Sequence, residues 1–282
     1  MDLLVPSRCA GCQRDGPVLC ADCRSLLGRP LRVRLDGRGQ PPVYALGRYR
    51  GPLRTALLAY KERGRRELAG PLGEALAGGV LGLPADGAHG PDGPDGGANG
   101  VRRLPAGGVW GLPANGAHGP DGSAGGVRGL PAGGVWLVPV PSRSSAARRR
   151  GGDHLMRLAE RTAQALAAGG VPAAVAPALR LASGVRDSVG LDAAARAANL
   201  AGRTRPRQAG LPPPGTPVVL LDDVATTGAT AAACTAALAA VGVEVHAVLV
   251  IASAVPLLRT GVLRDHSVTV RCNRRTVGSM TA

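Results

Sequence analysis

Residues 217–253 read "PVVLLDDVATTGATAAACTAALAAVGVEVHAVLVIAS". Two runs of continuous apolar character, "PVVLLDD" and "VEVHAVLVIAS", flank an alanine-rich segment, "TAAACTAALAAVG", that reads as a helix. A strand that is apolar at every position is buried on both faces, which is the habit of parallel sheets covered by helices. The run "VWLVPVP" at 135–141 repeats the strand pattern. After it, "DHLMRLAERTAQALAAGG" has Leu155, Leu158, Ala159, Thr162 and Leu166 on one helical face, with Asp153 placed to cap and Gly169 to stop it. Strands and helices in alternation predict an α/β fold with a mostly parallel sheet flanked by helices.

Upstream, "YRGPLRTALLAYKERG" predicts a turn and a short helix, with Leu53, Leu57 and Tyr60 at helical spacing and Gly64 at its end. "ELAGPLGEALAGGV" predicts a second helix broken or started at Pro71. "VPAAVAPALRLA" is strand-like, and "VRDSVGLDAAARAANLAG" reads as a loop and then a helix. The segment 82–136 is an internal duplication: "GLPADGAHGPDG" at 82–93 recurs at 111–122 with one change, and "VRRLPAGGVW" at 101–110 recurs at 127–136 with one change. Gly and Pro make up 25 of its 55 residues, too little apolar surface to offset ordering entropy, so a disordered insertion is expected. The chain therefore divides into a four-cysteine element (1–28), a loop and helices joining the core (29–81), the duplicated insertion (82–134) and the main α/β unit (135–282).

Composition matters here in one respect. The chain has no Phe, a single Ile, and 33 Arg against one Lys, so Ala, Val and Leu must build the core. The net charge of +15 favours anionic ligands such as nucleotides, diphosphates or nucleic acid, although a solvated basic surface has the same composition. No run of about 18 apolar residues predicts a membrane span, and "MDLLVPSRC" lacks the pattern of a secretory signal. A cytoplasmic protein is expected, and there clustered cysteines point to metal before disulfides.

Three stretches carry candidate chemistry. In "VVLLDDVATTGAT" a strand delivers Asp222 and Asp223 to its C-terminal end, where open α/β sheets bind ligands. The loop Ala225, Thr226, Thr227, Gly228, Ala229 and Thr230 enters a helix, so its N–H groups and hydroxyls can cradle a phosphate. Acids beside a phosphate cradle make sense if they contact sugar hydroxyls, directly or through Mg²⁺; the implied ligand is a sugar phosphate. The plainer alternative is an acid pair capping a strand–helix turn. Second, Cys9-x2-Cys12-x7-Cys20-x2-Cys23 offers four thiolates, enough for one structural Zn²⁺, with a redox pair or unpaired thiols as the alternative. Third, Arg148, Arg149 and Arg150 in "VPVPSRSSAARRRGG" follow a strand and are candidate pyrophosphate ligands or a solvated basic loop. Lys61, the sole lysine, is a further pyrophosphate candidate or a surface residue. Cys234, on the alanine-rich helix, reads as a small core residue. For proton transfer the candidates are Asp153 and His154.

The motif "VVLLDDVATTGAT" resembles the signature by which type I phosphoribosyltransferases bind phosphoribosyl pyrophosphate (PRPP). With the four-cysteine element, "YRGPLRTALLAYK", "LVPVP" followed by "RRRG", and "GLDAAARAANLAG", the chain resembles the ComF family. That resemblance implies a type I phosphoribosyltransferase-like fold with a small zinc-ribbon or knuckle element. It implies Asp222 and Asp223 on the ribose hydroxyls, 225–230 on the 5′-phosphate, and Mg²⁺ with PRPP. It also places Arg196 and Asn199 on the family's Arg-x2-Asn-Leu pattern and implies a link to DNA uptake, with DNA or a competence-type helicase as partner. Phosphoribosyl transfer to a nucleobase-like acceptor and a non-catalytic DNA- or partner-binding role are the two functions it suggests. The chain departs from the family at Gly152-Asp153-His154, where Phe-Asn-Gln is usual, at Ser188, and at Arg203-Thr204.

Overall fold

The computed structural model describes residues 8–35, 40–84, 134–142, 153–182 and 203–258. Most of the duplicated insertion, the Arg148–Arg150 cluster, Ser188, the segment with Arg196 and Asn199, and the basic tail lie outside the described residues. The strands are β1 (Leu31–Arg32), β2 (Val43–Arg48), β3 (Val135–Pro139), β4 (Ala173–Val175), β5 (Leu179–Leu181), β6 (Thr204–Pro206), β7 (Val218–Ala225) and β8 (Ala247–Ser253). The helices are α1 (Ala21–Arg24), α2 (Gly51–Glu62), α3 (Ala69–Leu81), α4 (His154–Ala168) and α5 (Ala229–Ala239).

Six strands form one sheet in the order β1-β2-β8-β7-β3-β4. The neighbours from β2 to β4 are parallel, and only β1 runs antiparallel, on the edge beside β2. β5 and β6 form a separate antiparallel pair that packs on α5. The central strands are buried at almost every position, as their unbroken apolar runs predict: β3 and β8 are buried throughout, and β7 is open only at Asp222 and Val224. Burial of this kind is worth about 25 cal/mol per Å² of apolar surface, so Val, Leu and Ala suffice where Phe and Ile are scarce.

Register decides which side chains share a face, because residues directly opposite on neighbouring strands point the same way and successive residues alternate. Tyr44 pairs with Leu249, and Leu249 with Leu221, on one face. That face is covered by α3, whose Gly79 lies against Leu46 and Leu249, and by α4, which packs on β3, β4 and β7. α3 and α4 touch closely, since a Cβ on Gly73 would fall 2.6 Å from Arg161 Cβ. Val43 pairs with Val248, and Val250 with Asp222, on the opposite face, where α5 begins.

α2, α3, α4 and α5 form where the sequence predicts helices; the short α1 is not predicted, and the helix expected within 185–202 lies outside the described residues. Leu53, Leu57 and Tyr60 of α2 are buried, and Gly64 follows with φ +69°. α3 starts at Ala69, so Pro71 lies in its first turn, where its missing N–H costs no intrahelical bond. Asp153 caps α4, its Oδ1 accepting from the amides of Leu155 at 3.0 Å and Met156 at 3.3 Å. α4 ends at Gly169, and the left-handed residue is Gly170. In the stretch after Ser253, Val33 and Leu257 form an antiparallel bridge, and Arg34 N–H donates to Pro256 O at 3.0 Å. No helix among the described residues is long and apolar enough to cross a membrane.

Candidate functional site

β7 runs through both acids to Ala225, so strand alternation sends Asp222 and Asp223 to opposite faces of the sheet. Asp222 shares its face with Val250 and lines a small open pocket with Thr226, Gly228, Thr230 and Ala231. Leu35, Val43 and Val248 complete its apolar wall. The loop after β7 ends at Gly228, which has φ +75° and is the N-cap of α5 without a side-chain cap. The left-handed conformation here disfavours any Cβ, and a Cβ would also press on the Leu35 side chain, 2.9 Å from its Cδ1. The first amides of α5 point toward the loop, where Ala229 N–H lies 3.4 Å from Thr227 Oγ1. A helix start of this kind, with hydroxyls of Thr226 and Thr230 beside it, is chemically suited to an anion.

Asp223 faces the other way and is only 4% exposed. Lys61, in the last turn of α2, reaches it with Nζ 2.8 Å from Oδ2 and 3.1 Å from Oδ1. His154, the first residue of α4, places Nε2 3.0 Å from the same Oδ2. With Asp223 ionised, Nε2 is the donor. Tyr60 locks the arrangement from α2: its hydroxyl donates to His154 O at 2.7 Å, and its ring meets the imidazole edge-on with centroids 6.0 Å apart. Asp223 N–H in turn donates to Asp222 Oδ1 at 2.8 Å.

The two carboxyls are pushed apart in acidity. Burial and then the neighbouring Asp223 charge push Asp222 up to about 7. Burial would also raise Asp223, but the His154 hydrogen bond and the Lys61 ammonium overcome it and bring Asp223 down to about 2. Lys61 moves in the complementary sense: burial disfavours its charge, and Asp223 more than restores it, so its pKa is raised. These are the opposite outcomes expected when one member of an acid pair touches its counter-charges and the other feels them only at a distance.

A second cluster lies in the N-terminal element. The sulfurs of Cys9, Cys12, Cys20 and Cys23 all lie within 4.8 Å of one another, and all four are free thiols. Zn–S bonds of about 2.3 Å in a tetrahedron imply S–S edges of roughly 3.8 Å; Cys12 and Cys20 are 3.6 Å apart. The donor set therefore fits a tetrahedral metal ion. Burial would raise the Cys9 thiol, but amide N–H groups of Cys20, Cys12 and Gly11 bring it down to about 6. Burial pushes Cys12 and Cys23 up, and neighbouring sulfurs add to the effect. The element is docked firmly on the fold: a Cβ on Gly11 would meet Cys23 Sγ at 2.7 Å and Pro52 O at 3.1 Å, and Arg65 Nη2 donates to Arg8 O at 3.1 Å.

Of the residues picked out by sequence, the structure gathers Asp222, Ala225, Thr226, Gly228 and Thr230 around one pocket and the four cysteines in another place. It puts Lys61 on Asp223. Asp153 is taken up by capping α4 and by the Ser142 hydroxyl, which donates to its Oδ1 at 2.6 Å. Cys234 is a buried core residue. Sequence reasoning treats Tyr60 as a core residue and His154 as a proton-transfer candidate, and does not pair either with Asp223. Leu35 in the pocket wall sits in an Arg-rich stretch that carries no signal for it. Compared with models of known protein families and with curated protein sequences, the chain matches none.

Proposed function

We propose that the pocket at the end of β7 binds PRPP or a related sugar phosphate, and that the chain is a phosphoribosyltransferase-like protein of the ComF type. The observation that carries this reading is a single pocket in which a carboxylate, Asp222, stands beside an uncapped helix start with two threonine hydroxyls and a left-handed glycine. The loop amides and hydroxyls suit the 5′-phosphate, and a carboxylate suits the neighbouring ribose hydroxyls. The chemistry of such a ligand is displacement at C1′. A nucleobase-like nitrogen attacks C1′, the C1′–oxygen bond breaks, pyrophosphate leaves with the electron pair, and the nitrogen loses its proton. The protein's share is placement and charge neutralisation. Mg²⁺ bound with PRPP supplies neutralisation for the departing pyrophosphate. Arg148, Arg149 and Arg150 are the candidates for the same task on the protein side.

In the N-terminal element, Cys9, Cys12, Cys20 and Cys23 would hold Zn²⁺, and four thiolates with no open position suit a structural ion. Its contribution is to folding of the element, through which the docked turn at Gly11 supports the start of α2.

The test is calorimetric titration of the zinc-loaded protein with PRPP and Mg²⁺, beside the double variant Asp222→Asn/Asp223→Asn. Saturable binding that the double variant loses supports the reading and justifies a screen of nucleobases for turnover. A folded wild-type protein that does not bind PRPP overturns it. Binding of DNA with a steep loss of affinity on adding salt would then favour the nucleic-acid role.

A further inference from the structure

The pair Asp222-Asp223 looks like one functional unit in sequence, yet its members do different things in the fold. Asp223 has both oxygens engaged, by Lys61 from α2 and His154 from α4. It lies on the helix-covered face, away from the pocket residues. Asp222 lines the pocket, and its Oδ1 is held by the Asp223 amide. We propose that Lys61 and His154 are positioning residues: by clamping the Asp223 carboxylate from two helices they fix the Asp223 peptide, whose N–H aims Asp222 at the ligand. The inference rests on the sugar-phosphate reading of the pocket for its ligand, and on hydrogen bonding alone for its mechanism.

The chain of contacts is continuous. Tyr60 holds the His154 carbonyl, His154 and Lys61 hold Asp223, and Asp223 N–H holds Asp222. Each link is a hydrogen bond of 2.7–3.1 Å between groups that packing orients. Two ionised carboxylates on adjacent residues repel, so an unclamped Asp223 would compete for the same amides and solvent as Asp222. Counter-charges on the far face remove that competition. The chain's one lysine serves here as a compact point charge that reaches both oxygens of a buried carboxylate from the end of a helix. The titratable groups whose charge acts on Asp222 are Asp223 on its own strand and Lys61 on the other face, and Asp222 in turn acts on the buried Cys234 thiol of α5.

The experiment uses the full-length zinc-loaded chain and two readouts: PRPP affinity with Mg²⁺, and the Asp223 amide signal in a ¹H–¹⁵N spectrum. Lys61→Met and His154→Leu are expected to move the Asp223 amide signal and weaken PRPP about tenfold or more. His154→Gln, which keeps a donor, is expected to restore both. Thr230→Ala serves as a pocket control that weakens PRPP without moving the Asp223 amide. If Lys61→Met weakens PRPP and leaves the amide unmoved, Lys61 is a direct ligand and the proposal is overturned. An unmoved amide in both folded variants overturns it as well. If the wild type does not bind PRPP, the ligand reading fails separately, and the amide alone decides whether the clamp operates. Should Lys61→Met not fold, His154→Leu reads the same amide with the lysine in place.

Discussion

The end of β7 and the four-cysteine element both gather acidic groups where water is scarce, and they balance them differently. At Asp223 the counter-charge comes from within the chain, from Lys61 and the donor on His154. At the cysteines, burial, backbone amides (that of Arg14 among them) and the sulfurs themselves set the shifts of Cys9, Cys12 and Cys23. Three arginines of this element are engaged with carboxylates: Arg8 with Asp15, Arg14 with Asp22, Arg24 with Glu74. One site carries its own cation, and the other is a cage of four thiols that could hold a metal ion brought from outside. The difference separates a charge balance built from side chains of the chain from one that a bound ion would complete.

The sharpest way to break this comparison is to take the outside cation away. Structural zinc in small peptides is worth about 10 kcal/mol or more of binding energy, most of it expressed as folding. Purified protein is expected to carry one zinc per chain by elemental analysis. Cys12→Ser/Cys20→Ser should lose it, and a strong chelator should lower the melting temperature of the wild type steeply. A metal-free protein that melts at the same temperature would mean that the cage closes on thiols alone, and the contrast between the two sites would collapse.

Much of this was legible in the residues, for physical reasons that also mark the limits. The unbroken apolar runs of β3, β7 and β8 announce strands buried on both faces, and Asp153 announces the start of α4 by the chemistry of capping. The cysteine spacing brings four sulfurs together because the two short turns are local. The separation of Asp222 from Asp223 follows from strand alternation once β7 is known to continue to Ala225, but the sequence does not mark where the strand stops. The contact of His154 with Asp223 spans 69 residues and depends on β3 lying next to β7, an order that no local pattern encodes. Lys61 stands out only by being alone. The two-residue edge strand β1 and the wall residue Leu35 have too little periodic signal to be read at all.

A smaller effect sharpens the comparison at the acid end. Asp222 is held up at about 7 against an ordinary 3.8, so the folded state binds the extra proton and stability falls as pH rises from about 4 through 7. Asp223 acts in the opposite direction: its pKa, near 2, gives stability that is full above about 4 and is lost as pH falls through 2. Asp222→Asn should remove the first slope and leave the second. Above pH 7 the variant is expected to exceed the wild type by on the order of 2–4 kcal/mol, converging with it near pH 4. Urea unfolding at pH 4.5, 6 and 8 measures this. Parallel curves for the two proteins would show that Asp222 has counter-charge of its own, and that the acid pair is not split.

The smallest effect concerns Cys234, which is buried as deeply as Cys9 and Cys23 but belongs to neither balance. Burial and the nearby Asp222 charge push its thiol up, so it stays protonated and acts as a small apolar side chain in α5. Cys234→Ala removes one buried sulfur from a helix of good alanine propensity and should cost about 1 kcal/mol. Zinc content should stay at one per chain, and the Asp223 amide signal should not move. A drop in metal content would make burial itself, and not the convergence of four sulfurs, the property that recruits the ion. A shift of the Asp223 amide would mean that α5 packing, not the clamp from α2 and α4, holds the acid pair in place.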